Sequence, residues 1–120
     1  MSGIVIYEQD DLMRALLEEW LRDAGYRTHG VASHRAPAQD DPDLVIVSIY
    51  MPKHAGARLA SEIRAAYPRT PVVAISGQFR SGLSTAGATA QMLGVTQVIA
   101  KPLTRDALLA TVRAIIGPPN

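Results

Sequence analysis

The chain has 120 residues and a formal net charge of +1, from 12 basic and 11 acidic side chains, and it contains no cysteine. That length suits one domain spanning residues 1–120, in which a single core buries roughly two-thirds of the unfolded surface. Lack of thiols excludes a disulfide scaffold and thiolate metal sites, the balanced charge excludes the long basic stripe of a nucleic-acid binder, and no apolar run approaches the ~20 residues of a membrane span.

From the N-terminus, Met1-Ser2-Gly3 leads without a basic region or signal-peptide core into the apolar run Ile4-Val5-Ile6-Tyr7, so a soluble cytoplasmic protein is expected. A helix follows over 11–24, with Met13, Leu16, Leu17, Leu21 and Ala24 on one face and Glu18, Glu19, Arg22 and Asp23 opposite. Gly25 ends it. A weaker, less apolar strand is expected over 27–31, at a sheet edge. Residues 32–42 hold Pro37 and Pro42 and support at most one helical turn. Leu44-Val45-Ile46-Val47 is the next apolar run, followed by a helix over 57–66 with Leu59 and Ile63 four apart. Residues 71–75 and 95–100 give two further strands, separated by a short helix near 86–93 that Gly94 closes. Thr104 then caps a last helix, with Asp106 in its first turn and Leu108, Val112, Ile115 and Ile116 on its apolar face.

The apolar runs are continuous, not alternating, as in strands buried on both faces of a parallel sheet. Alternating strands and helices imply a doubly wound α/β fold. In such a sheet the functional crevice lies beyond the carboxyl ends of the strands. That directs attention to Glu8 and Gln9, Ser48 and Ile49, Ser76 and Gly77, and Lys101.

At these strand ends the sequence resembles a response-regulator receiver domain. The residues that carry the likeness are Asp43 to Pro52 with its Met-Pro loop, Gly56, the run from Pro71 to Gly77, the pair Lys101-Pro102, and Arg14 with Leu16-Leu17 and Gly25-Tyr26. They occur in order and at the family's spacing from Ile4 to Ile116. The resemblance implies the flavodoxin-like receiver fold, five parallel strands in the order 2-1-3-4-5. It also implies a two-component signalling role, with a histidine kinase or phosphotransfer protein as partner, and it leaves a homodimer open; the charge balance and apolar runs give the expectation of no nucleic acid and no membrane.

Receivers resembling this chain accept a phosphoryl group on an aspartate at the end of the third strand. Mg²⁺ neutralises that group, held by the same aspartate and an acidic pair after the first strand. Here the nucleophile position falls on Ser48, and the acidic pair on Glu8 and Gln9, with Asp10 and Asp11 next. A serine hydroxyl is a weak nucleophile without a base, and a glutamine amide is a neutral ligand. Asp10 would come closer on a shift of register. The switch hydroxyl and the lysine remain, as Ser76 and Lys101, while the aromatic switch position on the fifth strand is Val98. The sequence thus reads as an atypical receiver with a degenerate phosphoacceptor site, no catalytic residue, no cofactor and weak or absent Mg²⁺ binding. In that reading Lys101 pairs with Glu8 or hydrogen-bonds Ser48.

Two alternatives belong beside this one: a stand-alone receiver phosphorylated through another carboxylate, and, more distantly, a small serine hydrolase using Ser48. The only histidine near Ser48 in sequence is His54, expected in the loop beyond the strand and out of reach. Trp20, on the first helix, reads as core or as a part-exposed anchor for a partner. Phe79-Arg80, in the glycine-rich stretch 77–87, is a second candidate contact, and Arg58, Arg64 and Arg69 read as solvated charges. The chain fits either a stand-alone protein or a domain of a larger regulator. With four residues after Ile116, direct transcriptional control by these residues alone is not expected.

Overall fold

The structure, a computed structural model, describes residues 3–32, 42–49, 54–76, 95–100 and 103–119. Five strands, β1 (Gly3–Tyr7), β2 (Arg27–Val31), β3 (Leu44–Ile49), β4 (Val72–Ser76) and β5 (Gln97–Ala100), form one sheet in the order β2-β1-β3-β4-β5. Every pairing is parallel. The described helices are α1 (Asp11–Asp23), α2 (His54–Ala66) and α3 (Arg105–Ile116).

Period-two alternation along each strand sorts the core into two layers. On one face Ile4, Ile6, Leu44, Ile46, Val73, Ile75 and Ile99 pack with Leu17 and Leu21 of α1 and Leu108, Leu109 and Val112 of α3. On the other, Val5, Tyr7, Val45, Val47, Ile49, Val72, Ala74 and Val98 pack with Ala60, Ile63 and Tyr67 at α2. A fully buried Val, Leu or Ile contributes about 1.5–3 kcal/mol, so these two layers account for the continuous apolar runs of the strands.

The turn out of α1 shows how the sequence stops a helix. Gly25 takes φ +102°, its N–H donates to the Arg22 carbonyl at 2.9 Å, and the Tyr26 N–H donates to the Leu21 carbonyl at 3.0 Å. This is the paired closure of a Schellman motif, with glycine in the left-handed position. The Tyr26 hydroxyl then donates to the Gly117 carbonyl at 2.7 Å, tying this turn to the end of α3. Thr104 caps α3 as expected, its hydroxyl accepting from the Ala107 N–H at 3.1 Å.

Several expected boundaries move. Helix α2 begins at His54, not at 57, so His54 is a helical residue and not part of a loop. Gly56 is a poor helix former and an apolar period only becomes visible further on, so the first turn carries no sequence signal. Strand β3 continues through Ser48 and Ile49, and β5 starts at Gln97 although Val95 is buried. The expected helix near 86–93, the stretch 77–87 with Phe79-Arg80, the Met51-Pro52 loop, most of 32–42, and Lys101-Pro102 lie outside the described residues.

Candidate functional site

The site is built by register. Strands β1 and β3 pair as Ile4 with Leu44 through Tyr7 with Val47, a constant offset that brings Glu8, the next residue, beside Ser48. Their side chains share the pleat of Ile6 and Ile46, so both extend toward the layer of α1 and α3. Beyond Ser48, Ile49 pairs with Ser76 at the end of β4, and Ser76 with Ala100 at the end of β5. Among the described residues, the strand ends at Glu8, Ser48, Ile49 and Ser76 are therefore neighbours along one edge of the sheet.

Glu8 is 1% exposed and Ser48 6%, the two buried polar or charged side chains among the described residues. The Ser48 hydroxyl donates to Glu8 Oε1 at 2.9 Å. A buried carboxylate is costly unless it is hydrogen-bonded, and this bond meets part of that requirement. The Asp10 N–H donates to Glu8 Oε2 at 3.3 Å. The main chain of Glu8 is held as well, its N–H donating to the Val31 carbonyl at 3.0 Å and its carbonyl accepting from Arg14 Nη1 at 2.9 Å.

The other expected site residues are arranged differently. Gln9 is exposed. The Asp10 carboxylate caps α1, accepting from the Met13 N–H at 3.0 Å, so only the Asp10 backbone N–H reaches Glu8. Asp11 is on the outer surface, bound to Arg14 Nη2 at 2.6 Å. Ser76 occupies the last position of β4, and Lys101 follows the last described residue of β5. Val98 is buried beside Ala74 in the α2 layer. Trp20 is half-buried against the α1–α3 layer.

Two features escape the sequence reading. Leu12, in the first turn of α1, is 84% exposed. Tyr7 and Tyr67 meet inside the α2 layer through their hydroxyls, 2.7 Å apart, with their rings edge to face. Burial first, and then the Tyr67 hydrogen bond, push the Tyr7 phenol well above the ordinary tyrosine range.

Residues 4–113 match the family model described as response regulator receiver domain. The chain belongs to that family. Among curated relatives, it is 34% identical over 104 residues to the regulator of RpoS of Escherichia coli, a match covering 83% of this chain and 30% of the relative. It is 35% identical over 117 residues to protein-glutamate methylesterase/protein-glutamine glutaminase 2 of Burkholderia thailandensis, covering 92% and 32% respectively. The transcriptional regulatory protein RprY of Bacteroides fragilis is 28% identical over 117 residues, with 94% and 48% covered. The receiver chain thus spans half or less of each of these proteins.

Solved structures agree on the fold. The chemotaxis protein CheY4 of Vibrio cholerae superposes with a TM-score of 0.77 at 23% identity, over 96% of this chain and 98% of that one. The receiver domain of a sensor histidine kinase of Pseudomonas aeruginosa, solved with a magnesium ion coordinated in its active site cleft, superposes with a TM-score of 0.76 at 24% identity, over 97% and 98%. The expected five-stranded order, 2-1-3-4-5, is the observed one.

Proposed function

We propose that this receiver domain has left the phosphoryl-transfer cycle and acts as a protein-interaction module, engaging a histidine kinase or phosphotransfer protein without being phosphorylated at the usual position. The observation that carries the reading is the 2.9 Å bond from the Ser48 hydroxyl to Glu8 Oε1. In this reading position 48, next to last in β3, is where a phosphoryl-accepting receiver has its aspartate. A hydroxyl there brings no charge for a metal, and it is buried at 6% exposure against the Glu8 carboxylate to which it donates.

The donor set also argues against Mg²⁺, which favours several oxygen ligands with carboxylates among them. Glu8 accepts from Ser48 and from the Asp10 N–H, Gln9 offers a neutral amide, and the Asp10 carboxylate is engaged at the helix cap. Among the described residues no group of three or more His, Cys, Asp or Glu side chains is arranged to hold a metal ion. Lys101, outside the described residues, is proposed to balance the charge of the pocket as the partner of Glu8 or Ser48. The low exposure of Ser48, 6%, weighs against the hydrolase alternative. Among the described residues no helix is long and apolar enough to cross a membrane.

The test is phosphoryl incorporation. The purified chain, incubated with acetyl phosphate and Mg²⁺ and analysed by intact mass, is expected to gain no phosphoryl group. An acyl phosphate adduct in good yield, retained in Ser48→Ala, would instead establish phosphorylation through another carboxylate.

A further inference from the structure

The two described glycines with positive φ, Gly25 at +102° and Gly117 at +79°, meet at one joint. Gly117 combines its φ with ψ −179°, a backbone region essentially closed to residues that carry a Cβ. Its N–H donates to the Arg113 carbonyl at 2.9 Å, closing α3, and its carbonyl accepts from the Tyr26 hydroxyl at 2.7 Å. Tyr26 is 2% exposed, and the hydroxyl of so buried a ring is costly without a partner. Two residues further on, the Pro119 ring rests against the turn out of α1: a Cβ added at Gly25 would stand 2.9 Å from Pro119 Cγ and 3.2 Å from Pro119 Cβ.

We infer that residues 117–119 form a docked exit, a joint that holds the end of α3 against the turn out of α1, so that anything carried past residue 119 leaves the domain in one direction. The sequence Gly117-Pro118-Pro119 suits that task. Each proline fixes its own φ near −65°, and a residue before proline is kept out of the helical region. Few torsions therefore stay free between the end of α3 and Pro119. Once the Tyr26 hydroxyl fixes the Gly117 carbonyl, the stiff pair that follows has its direction set, and the bare Cα of Gly25 leaves room for the Pro119 ring. The position of the joint follows from topology. Helix α1 connects two parallel strands, so it ends at the sheet edge where β2 begins, and Tyr26 brings the end of α3 to that same edge. Glu8 and Ser48 lie at the opposite edge, beyond β1 and near the end of β3. A partner at the candidate site and a segment carried past residue 119 thus occupy separate sides of the sheet. The joint stands whether or not the domain accepts a phosphoryl group.

Solution NMR of the full chain tests it. The Cα–Hα order parameter of Pro119 is expected to match that of rigid backbone, about 0.85, with nuclear Overhauser contacts from the Pro119 ring to the Gly25 α protons. Tyr26→Phe removes the donor to the Gly117 carbonyl. Gly117→Ala adds a Cβ that meets nothing within 4 Å, so it acts on the backbone conformation alone. In each variant the Pro119 order parameter is expected to fall below about 0.6 and the contacts to Gly25 to vanish, while the amide signals of Val5, Val45 and Leu108 stay in place. A Pro119 order parameter below about 0.6 in the unaltered chain, or one that either variant leaves unchanged, would overturn the docked exit. Shifts at Val5, Val45 and Leu108 as large as those at Gly25 in both variants would overturn it as well, since the segment would then be an inseparable part of the core and not a joint.

Discussion

Tyr7 and Tyr67, sixty residues apart, join their hydroxyls across 2.7 Å within the layer between the sheet and α2. Tyr7 is also the residue before Glu8, so the strand that supplies the site carboxylate is anchored on both faces: by the tyrosine pair on one and by Ser48 on the other. Burial and the Tyr67 bond raise the Tyr7 phenol above its ordinary range. The sign of the pH effect follows from linkage. The folded state holds the phenolic proton more tightly than the unfolded chain, so stability is unaffected at neutral pH, and it falls as pH rises above about 10, where unfolded tyrosine ionises. Tyr7→Phe is expected to cost about 1 kcal/mol at neutral pH, since it leaves the Tyr67 hydroxyl without this bond in a buried place. It is also expected to flatten the alkaline loss of stability. Urea melts at a series of pH values measure both.

Ser48→Asp is expected to destabilise the domain by about 1–3 kcal/mol in the absence of divalent cations, because it sets a second carboxylate against the buried one of Glu8. Mg²⁺ is expected to recover part of that loss by lying between the two carboxylates, and to leave the melting temperature of the unaltered chain unchanged. Thermal melts of both proteins with and without Mg²⁺ distinguish the two responses.

Gly25→Ala is expected to cost about 1–2 kcal/mol, or roughly 5 °C in melting temperature. The position has φ +102°, and an added Cβ would stand 2.9 Å from Pro119 Cγ. The Tyr26–Gly117 bond, 2.7 Å long, joins the α1 exit to the end of α3 beside this clash and is expected to weaken with it. A melting temperature within a degree of the unaltered chain would show that the turn relaxes freely.

Much of this architecture was legible from local pattern. Continuous apolar runs marked Ile4 to Tyr7 and Leu44 to Val47 as doubly buried strands, and the less apolar stretch from Arg27 marked an edge, where β2 lies. The Thr104 cap and the Gly25 stop were readable because each is a local requirement of backbone geometry. Helix α2 was read three residues short, since its first turn holds Gly56 and little apolar content. Within the site, the residue types and strand ends were legible and the contacts only in part. Pairing of Glu8 with Ser48 depends on the β1–β3 register, which the apolar runs alone leave free to slide. Asp10 was legible as an acid near Glu8, but its use as the α1 cap depends on where the helix begins. The Tyr7–Tyr67 bond had no sequence signal at all, because nothing local links a strand residue to a helix exit sixty positions away.

Under the proposed function, the pocket of Glu8 and Ser48 is chemically silent toward phosphoryl groups. The most direct measurement is an amide NMR titration of the chain with Mg²⁺ and then beryllofluoride, a mimic of the aspartyl phosphoryl group. Signals of Glu8, Gln9, Ser48 and Ser76 are expected to stay in place at every concentration. Strong, saturable shifts at those residues would contradict it and would identify a carboxylate that still supports phosphoryl signalling.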